Sequence, residues 1–402
     1  MGTLRAYRFS LLLIASIVAG SAVGLTAPAI AGSIKPLGDL FLNLIFMVIV
    51  PLVFLSIASS IASSATTTLS RVSSVMLVVF FATSLVAALG SLLFFLVVQP
   101  APGSGLALPA AAIQQPPAIL AQLVKTVSVP SFAELLSHRA LLPLMLFAAA
   151  TGLATRQLGE RGAPLAAVLR SGAEVVIRMV DYVMLAAPVG LFAYFAATVA
   201  ETGAALAGAY LQLFTAYYLF GGAYFVVAFS AYAWLAGGRG GMRRFWSHML
   251  TPSLTALGTC SSMATVPANL EAAPHMGVSR EVSALVIPVG AVIHKDGSVI
   301  GAVAKCLFAI SLFRVELTPS MLAATVAVSI LAAVVVGAIP TGGMTAEIVI
   351  LSAFGFGQEA LPLLAVISVI IDPLATLLNA TGDNAATMLV DRGLARNAGD
   401  GA

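Results

Sequence analysis

The polar residues that could do chemistry in this chain lie in short clusters inside apolar runs. Gly258–Pro267 reads GTCSSMATVP. His294-Lys295-Asp296-Gly297-Ser298 interrupts the run from Val282 to Leu312. Ile339-Pro340-Thr341-Gly342-Gly343 interrupts another, and Asp372-Pro373 is followed by Asn379-Ala380-Thr381-Gly382-Asp383. An ionised acid such as Asp372 is costly inside an apolar span and is retained where it is paired or does work. A stabilising ion pair with Lys295 or Lys305 is one reading of it; a substrate contact is favoured. Ser261 and Ser262, with backbone amides nearby, offer an anion the kind of site a helix N-terminus provides. An ion pair between Lys305 and Glu347 is compatible with the sequence, which does not place them together. No HExxH metal motif and no plausible GxSxG elbow occurs, so an intramembrane enzyme is disfavoured.

The elements that position these clusters follow from composition. The 402 residues are 60% hydrophobic and 9% charged, against about 25% charged in soluble domains. So much apolar surface needs a bilayer as solvent. Segments such as Ser10–Ala29, Phe41–Ile61 and Val75–Val98 run near the roughly 20 apolar residues that cross hydrocarbon. The sequence predicts spans at 8–31, 38–64, 71–99, 137–157, 164–195 and 207–236, with a break at Gly237–Gly241. The first is expected to be an uncleaved helix, because Leu11–Ala31 is too long for a signal core. Pro100–Pro130 reads as an extracellular loop.

Arg5, Arg8, Arg71, Arg156, Arg161, Arg239, Arg243, Arg244, Arg280, Arg392 and Arg396 fall on one side of this topology. Lys35, Lys125, Arg139 and Arg314 fall on the other. The arginine-rich side is expected to be cytoplasmic, with both termini there and the chain in a cell inner membrane. Glu271, His275 and Arg280 read as solvated loop residues on that side. Cys260 and Cys306 supply neither a disulfide framework nor metal spacing, and nothing interleaves basic and aromatic residues as nucleic-acid platforms do.

From about residue 246 the order is hairpin-like segment, broken helix, hairpin-like segment, broken helix, the trace an inverted repeat leaves. Non-helical backbone in hydrocarbon is tolerated only where protein or a wet cavity satisfies it, and such breaks point to a transport site near the midplane. The clusters at Cys260–Pro267, His294–Ser298 and Asn379–Asp383, with Leu42–Phe54 and Ala187–Phe192, make the chain resemble the dicarboxylate/amino acid:cation symporter family. The likeness covers nearly the whole chain.

The resemblance implies an all-α polytopic protein of eight transmembrane helices and two re-entrant hairpins, at about 246–274 and 321–358, working as an elevator-type homotrimer in membrane lipid. It implies scaffold helices in 1–70 and 131–200, helix 3 with its loop in 71–130, and a transport core in 201–402. It places Asp372 on the substrate's α-amino group, with Thr376, Asn379, Ser298, Gly342, Ser261 and Ser262 around the substrate. It makes Asp296 and Asp383 sodium ligands, together with Asn379, Thr83 and Ser84. Oxygen donors suit a hard cation, although small polar residues such as Thr83 and Ser84 equally let helices pack closely. Sodium is the only bound species so implied; no other cofactor is expected.

Two departures matter. Acidic-substrate members carry an arginine where this chain has Ala375 or Cys260, so no bidentate partner for a side-chain carboxylate remains. A small neutral amino acid therefore fits better. The Asp-Gly motif is preceded by His294 and Lys295, where the family usually has Asn-Met. An ammonium about 4–6 Å from a sodium site repels it by roughly 3–4 kcal/mol at an effective dielectric of about 20. Lys295 is thus expected to replace one sodium and carry proton coupling, with His294 as a titrating neighbour. Alternatively it contacts the substrate, which would then be a small dicarboxylate. A channel or a transport-inactive receptor are the readings from other classes.

Overall fold

The computed structural model describes residues 2–63, 71–99, 128–137, 140–202, 205–338, 343–357 and 360–399. Among them all regular structure is helical. The helices are α1 (Gly2–Thr26), α2 (Pro28–Ser63), α3 (Arg71–Val98), α4 (Phe132–Leu135), α5 (Leu141–Gln157), α6 (Ala163–Leu185), α7 (Ala187–Thr202) and α8 (Ala205–His248). They continue with α9 (Leu250–Thr259), α10 (Ser262–His275), α11 (Arg280–Ile293), α12 (Asp296–Leu312), α13 (Pro319–Ala338), α14 (Gly343–Phe354) and α15 (Leu361–Gly399). Among the described residues, four stretches are long and apolar enough to cross a membrane: Val72–Val98, Gly208–His248, Arg280–Leu312 and Leu361–Ala395. Large apolar side chains such as Val78, Leu93, Val97 and Leu219 stand on the outside, where water would oppose them and lipid would not.

Two expectations about helix continuity are corrected. The span expected at 164–195 is two helices, divided at Ala186. Pro188 has no N–H to continue the ladder and suits the first turn of a new helix. The segment around Asp372-Pro373 and Asn379–Asp383, expected to be broken, is one helix throughout. Its polar residues are absorbed locally: Thr381 and Thr387 donate to the carbonyls of Leu377 and Asp383, each at 2.5 Å. Asn269 of α10 donates to the Ala380 carbonyl at 2.7 Å.

The other breaks are present. α8 turns at Gly237 (φ −149°) and Gly238 (φ 61°), the latter a backbone region that favours glycine. α11 and α12 are separated by extended His294 (φ −96°, ψ 107°) and by Lys295 (φ −138°, ψ 54°). α9 ends on Cys260 in the left-handed region, and Ser261 caps α10 by accepting from the Ala264 amide at 3.2 Å. The tip expected at Ile339–Gly342, including Gly342, lies outside the described residues. Glu271, His275 and Arg280 are exposed, as loop residues would be, but they sit on α10 and α11.

Packing divides into two neighbourhoods. α1, α2, α5, α6 and α7 contact one another most, while α3, α8 and α9 to α15 gather around α12 and α15. The first group closes through small residues: a Cβ at Gly20 or Gly24 would strike the carbonyl oxygens of Phe192 and Ala196 on α7. Gly24→Ala is expected to cost about 1–3 kcal/mol by overpacking. Gly32→Ala, where nothing lies within 4 Å, is expected to be neutral or stabilising by up to about 1 kcal/mol. Thermal unfolding of the two purified variants in detergent separates them.

Candidate functional site

The site is built around the gap between α11 and α12. A helix start leaves backbone N–H groups without partners, and here α15 supplies the acceptor. Asn379 Oδ1 receives the amides of Gly297 and Ser298 at 2.9 and 3.2 Å, and Asn379 Nδ2 donates to Ser298 Oγ at 3.0 Å. Tyr217 of α8 donates to the Gly297 carbonyl at 3.1 Å. α12 and α15 approach so closely that a Cβ on Gly297 would collide with the Ala375 carbonyl. Asn379 and Ser298, both expected around a substrate, are therefore joined to each other and cap a helix.

Inside the gap, three titratable side chains from two elements meet. His294 Nδ1 lies 3.0 Å from Asp383 Oδ1, and Nε2 lies 2.8 Å from Thr83 Oγ1 and 3.4 Å from Asp296 Oδ1. The imidazole is 1% exposed and stacks on Phe80 of α3 at 4.6 Å. Ser84 donates to Asp296 Oδ1 at 3.3 Å, and Tyr224 of α8 donates to Asp296 Oδ2 at 2.9 Å, with the Tyr232 hydroxyl 3.0 Å behind it. Gly290 lets Asp383 approach, since a Cβ there would lie 2.6 Å from its Oδ1. Asp383 Oδ2 is buried with no hydrogen-bond partner.

The second charged residue of the gap goes elsewhere. Lys295 Nζ donates to Ser262 Oγ at 3.0 Å and to the Ala291 carbonyl at 2.5 Å. No carboxylate lies within ion-pair distance of it among the described residues. Asp372 is likewise without an ion-pair partner there and is exposed; Thr376 donates to it at 3.3 Å. The Cys260 thiol faces the Asp372 carboxylate. The turn between α9 and α10 thus touches Asp372 through Cys260 and Lys295 through Ser262. Asp372 and Lys295 sense each other's charge without contact.

Several participants had no signal in the sequence. Tyr224 and Tyr232 sit in an aromatic stretch that reads only as a span. Asn384 donates to Asn269 Oδ1 at 2.8 Å, joining α15 to α10. The Lys305–Glu347 pair, which the sequence allowed without placing the two together, forms at 2.5 Å, and Ser368 of α15, which had no such signal, hydrogen-bonds both partners. Glu347 lies on α14 and is fully buried.

A sequence model of the sodium:dicarboxylate symporter family matches residues 9–393. The chain belongs to that family. It is a multi-pass membrane protein, a cation-coupled symporter and not an enzyme. It is 28% identical over 321 residues to a C4-dicarboxylate transport protein of Rhodospirillum rubrum, covering 76% of this chain and 70% of that one. It is 32% identical over 313 residues to C4-dicarboxylate transport protein 2 of a Bradyrhizobium, covering 75% and 69%. Against the proton/glutamate-aspartate symporter of Bacillus subtilis it is 23% identical over 403 residues, covering 94% and 93%.

Removing one partner of the Lys305–Glu347 pair strands a buried charge. Lys305→Met or Glu347→Met alone is expected to cost about 3–5 kcal/mol, and the double variant much less. Unfolding free energies for the four proteins form a double-mutant cycle that reads the coupling directly.

Proposed function

We propose that this symporter carries a small neutral amino acid across a cell inner membrane, with its termini cytoplasmic and its coupling cation being sodium, a proton or both. The observation that carries the reading is the pair of opposite charges at the α9–α10 turn. Asp372 has no cation in contact, and Lys295 has no carboxylate in contact, among the described residues. A buried charge without a partner, as on Lys295, is costly. A zwitterion fits both: its ammonium against Asp372 and Thr376, its carboxylate against Lys295 and the α10 N-terminus with Ser261 and Ser262. Ala375 and Cys260 offer no third charge for an acidic side chain.

The small dicarboxylate reading has one support, that relatives such as those of Rhodospirillum rubrum and the Bradyrhizobium are C4-dicarboxylate transport proteins. In it Lys295 would hold one carboxylate, and Asp372 would oppose the other. The two helix pairs, α9 with α10 and α13 with α14, are proposed as re-entrant gates. α3 and α8 to α15 are proposed as a core that moves, elevator-like, against a frame of α1, α2, α5, α6 and α7 in a homotrimer. The separation of packing neighbourhoods supports this.

Uptake of labelled alanine, serine and succinate into proteoliposomes under imposed sodium or proton gradients tests the assignment. Alanine or serine is expected to accumulate, and Asp372→Asn is expected to weaken apparent affinity roughly 10–100-fold, as loss of one charged contact does. Accumulation of succinate alone, insensitive to Asp372→Asn, would overturn it.

A further inference from the structure

The family is named for sodium, and the resemblance assigns sodium ligands to Asp296, Asp383, Asn379, Thr83 and Ser84. The residues present do not fit that ion. A hard cation needs several oxygens converging on one point, and here a side chain of the protein stands at the convergence. The His294 ring lies between the two carboxylates, 3.0 Å from Asp383 Oδ1 on one edge. On the other edge it lies 2.8 Å from Thr83 Oγ1 and 3.4 Å from Asp296 Oδ1.

Hydrogen bonds on both edges hold the ring in place. Thr83 Oγ1 pairs with His294 Nε2 and also lies 3.1 Å from the Phe80 carbonyl. An ionised Asp383 has only acceptors to offer Nδ1. The ring therefore occupies the space in which oxygens of Asp296, Asp383 and Thr83 would otherwise converge on an ion. Burial to 1% and stacking on Phe80 keep it there, because a close-packed interior leaves no space to swing aside. The one carboxylate oxygen left over, Asp383 Oδ2, is not a coordination shell. Lys295, the residue expected to stand in for sodium, instead bonds Ser262 and the Ala291 carbonyl.

We propose that His294 is a built-in substitute for bound sodium: its ring bridges Asp296, Asp383 and Thr83 and closes this site to the ion. The inference rests on family membership and on these contacts, not on which substrate is carried.

The test needs no transported substrate, so its failure is distinct from failure of the amino-acid assignment. Purified wild-type protein is melted in sodium chloride and in choline chloride at equal ionic strength. The two melting temperatures are expected to agree within about 1 °C, since an ion that does not bind the native state does not stabilise it. His294→Asn, which exchanges the ring for a side chain with an oxygen donor, is expected to gain a sodium-specific rise of several degrees. A wild-type rise of several degrees in sodium over choline overturns the proposal, whether or not the variant folds. A second wild-type readout is equilibrium binding of radioactive sodium at neutral pH. Background-level binding agrees with the proposal, and saturable binding that His294→Asn leaves unchanged overturns it.

Discussion

Two carboxylates buried within a few ångströms of one ring set the terms for the core. Asp296 begins α12 and Asp383 lies within α15, and both are almost wholly out of contact with solvent. Isolated ionised acids in such surroundings are strongly unfavourable. The chain meets this constraint by interrupting a helix. The gap at His294–Lys295 lets one residue turn inward between the acids and the next turn toward the α9–α10 turn. A continuous helix would set successive side chains about 100° apart around its axis and would continue its backbone ladder through the place where Asn379 now caps α12. The break, the cap and the bridging ring are mutually dependent.

The hydroxyls and amides around that centre extend the same logic outward. Tyr224, backed by Tyr232, and Ser84 satisfy Asp296 from α8 and α3, so the acid is held by two elements besides its own helix start. Asn269 and Asn384 join α10 to α15 in a second buried polar contact. Lys305, Glu347 and Ser368 form a third, uniting α12, α14 and α15. Satisfied polar networks specify one arrangement of packed helices because half-satisfied alternatives are penalised. In a protein surrounded by hydrocarbon, apolar burial discriminates weakly between such arrangements, so these contacts carry much of the specificity.

The membrane class, the clusters at 258–267 and 294–298 and the break at Gly237 were legible in the sequence because Gly, Pro and charge are conspicuous inside apolar runs. The division at Ala186 was less so: Pro188 sits near a helix start, where proline leaves the helix beyond it straight and intact. Asn379–Asp383 looked like a break because its residue types are those of turns, yet side chains from α10 and from within α15 satisfy the backbone and the helix persists. Which of His294 and Lys295 faces the acids was not readable. It depends on dihedrals at the gap, and adjacent residues in non-helical backbone have no fixed periodicity. Tyr224 was silent for another reason, since an aromatic run at helical spacing reads as packing whether or not one hydroxyl is engaged.

That division of labour between neighbours bears on how such a site couples its parts. His294 and Lys295 share one short stretch of extended backbone; one reaches Asp296 and Asp383, and the other reaches Ser262 beside the turn that also faces Asp372. Ser262 of the α9–α10 turn and the His294 ring are linked through the Lys295 side chain and one peptide bond. Coupling between sites requires a physically continuous element with two arrangements that both sites bias. The gap satisfies the first condition with only two residues. The carboxylate pair is bridged from the same dipeptide that touches the turn, so the two ends share one covalent element.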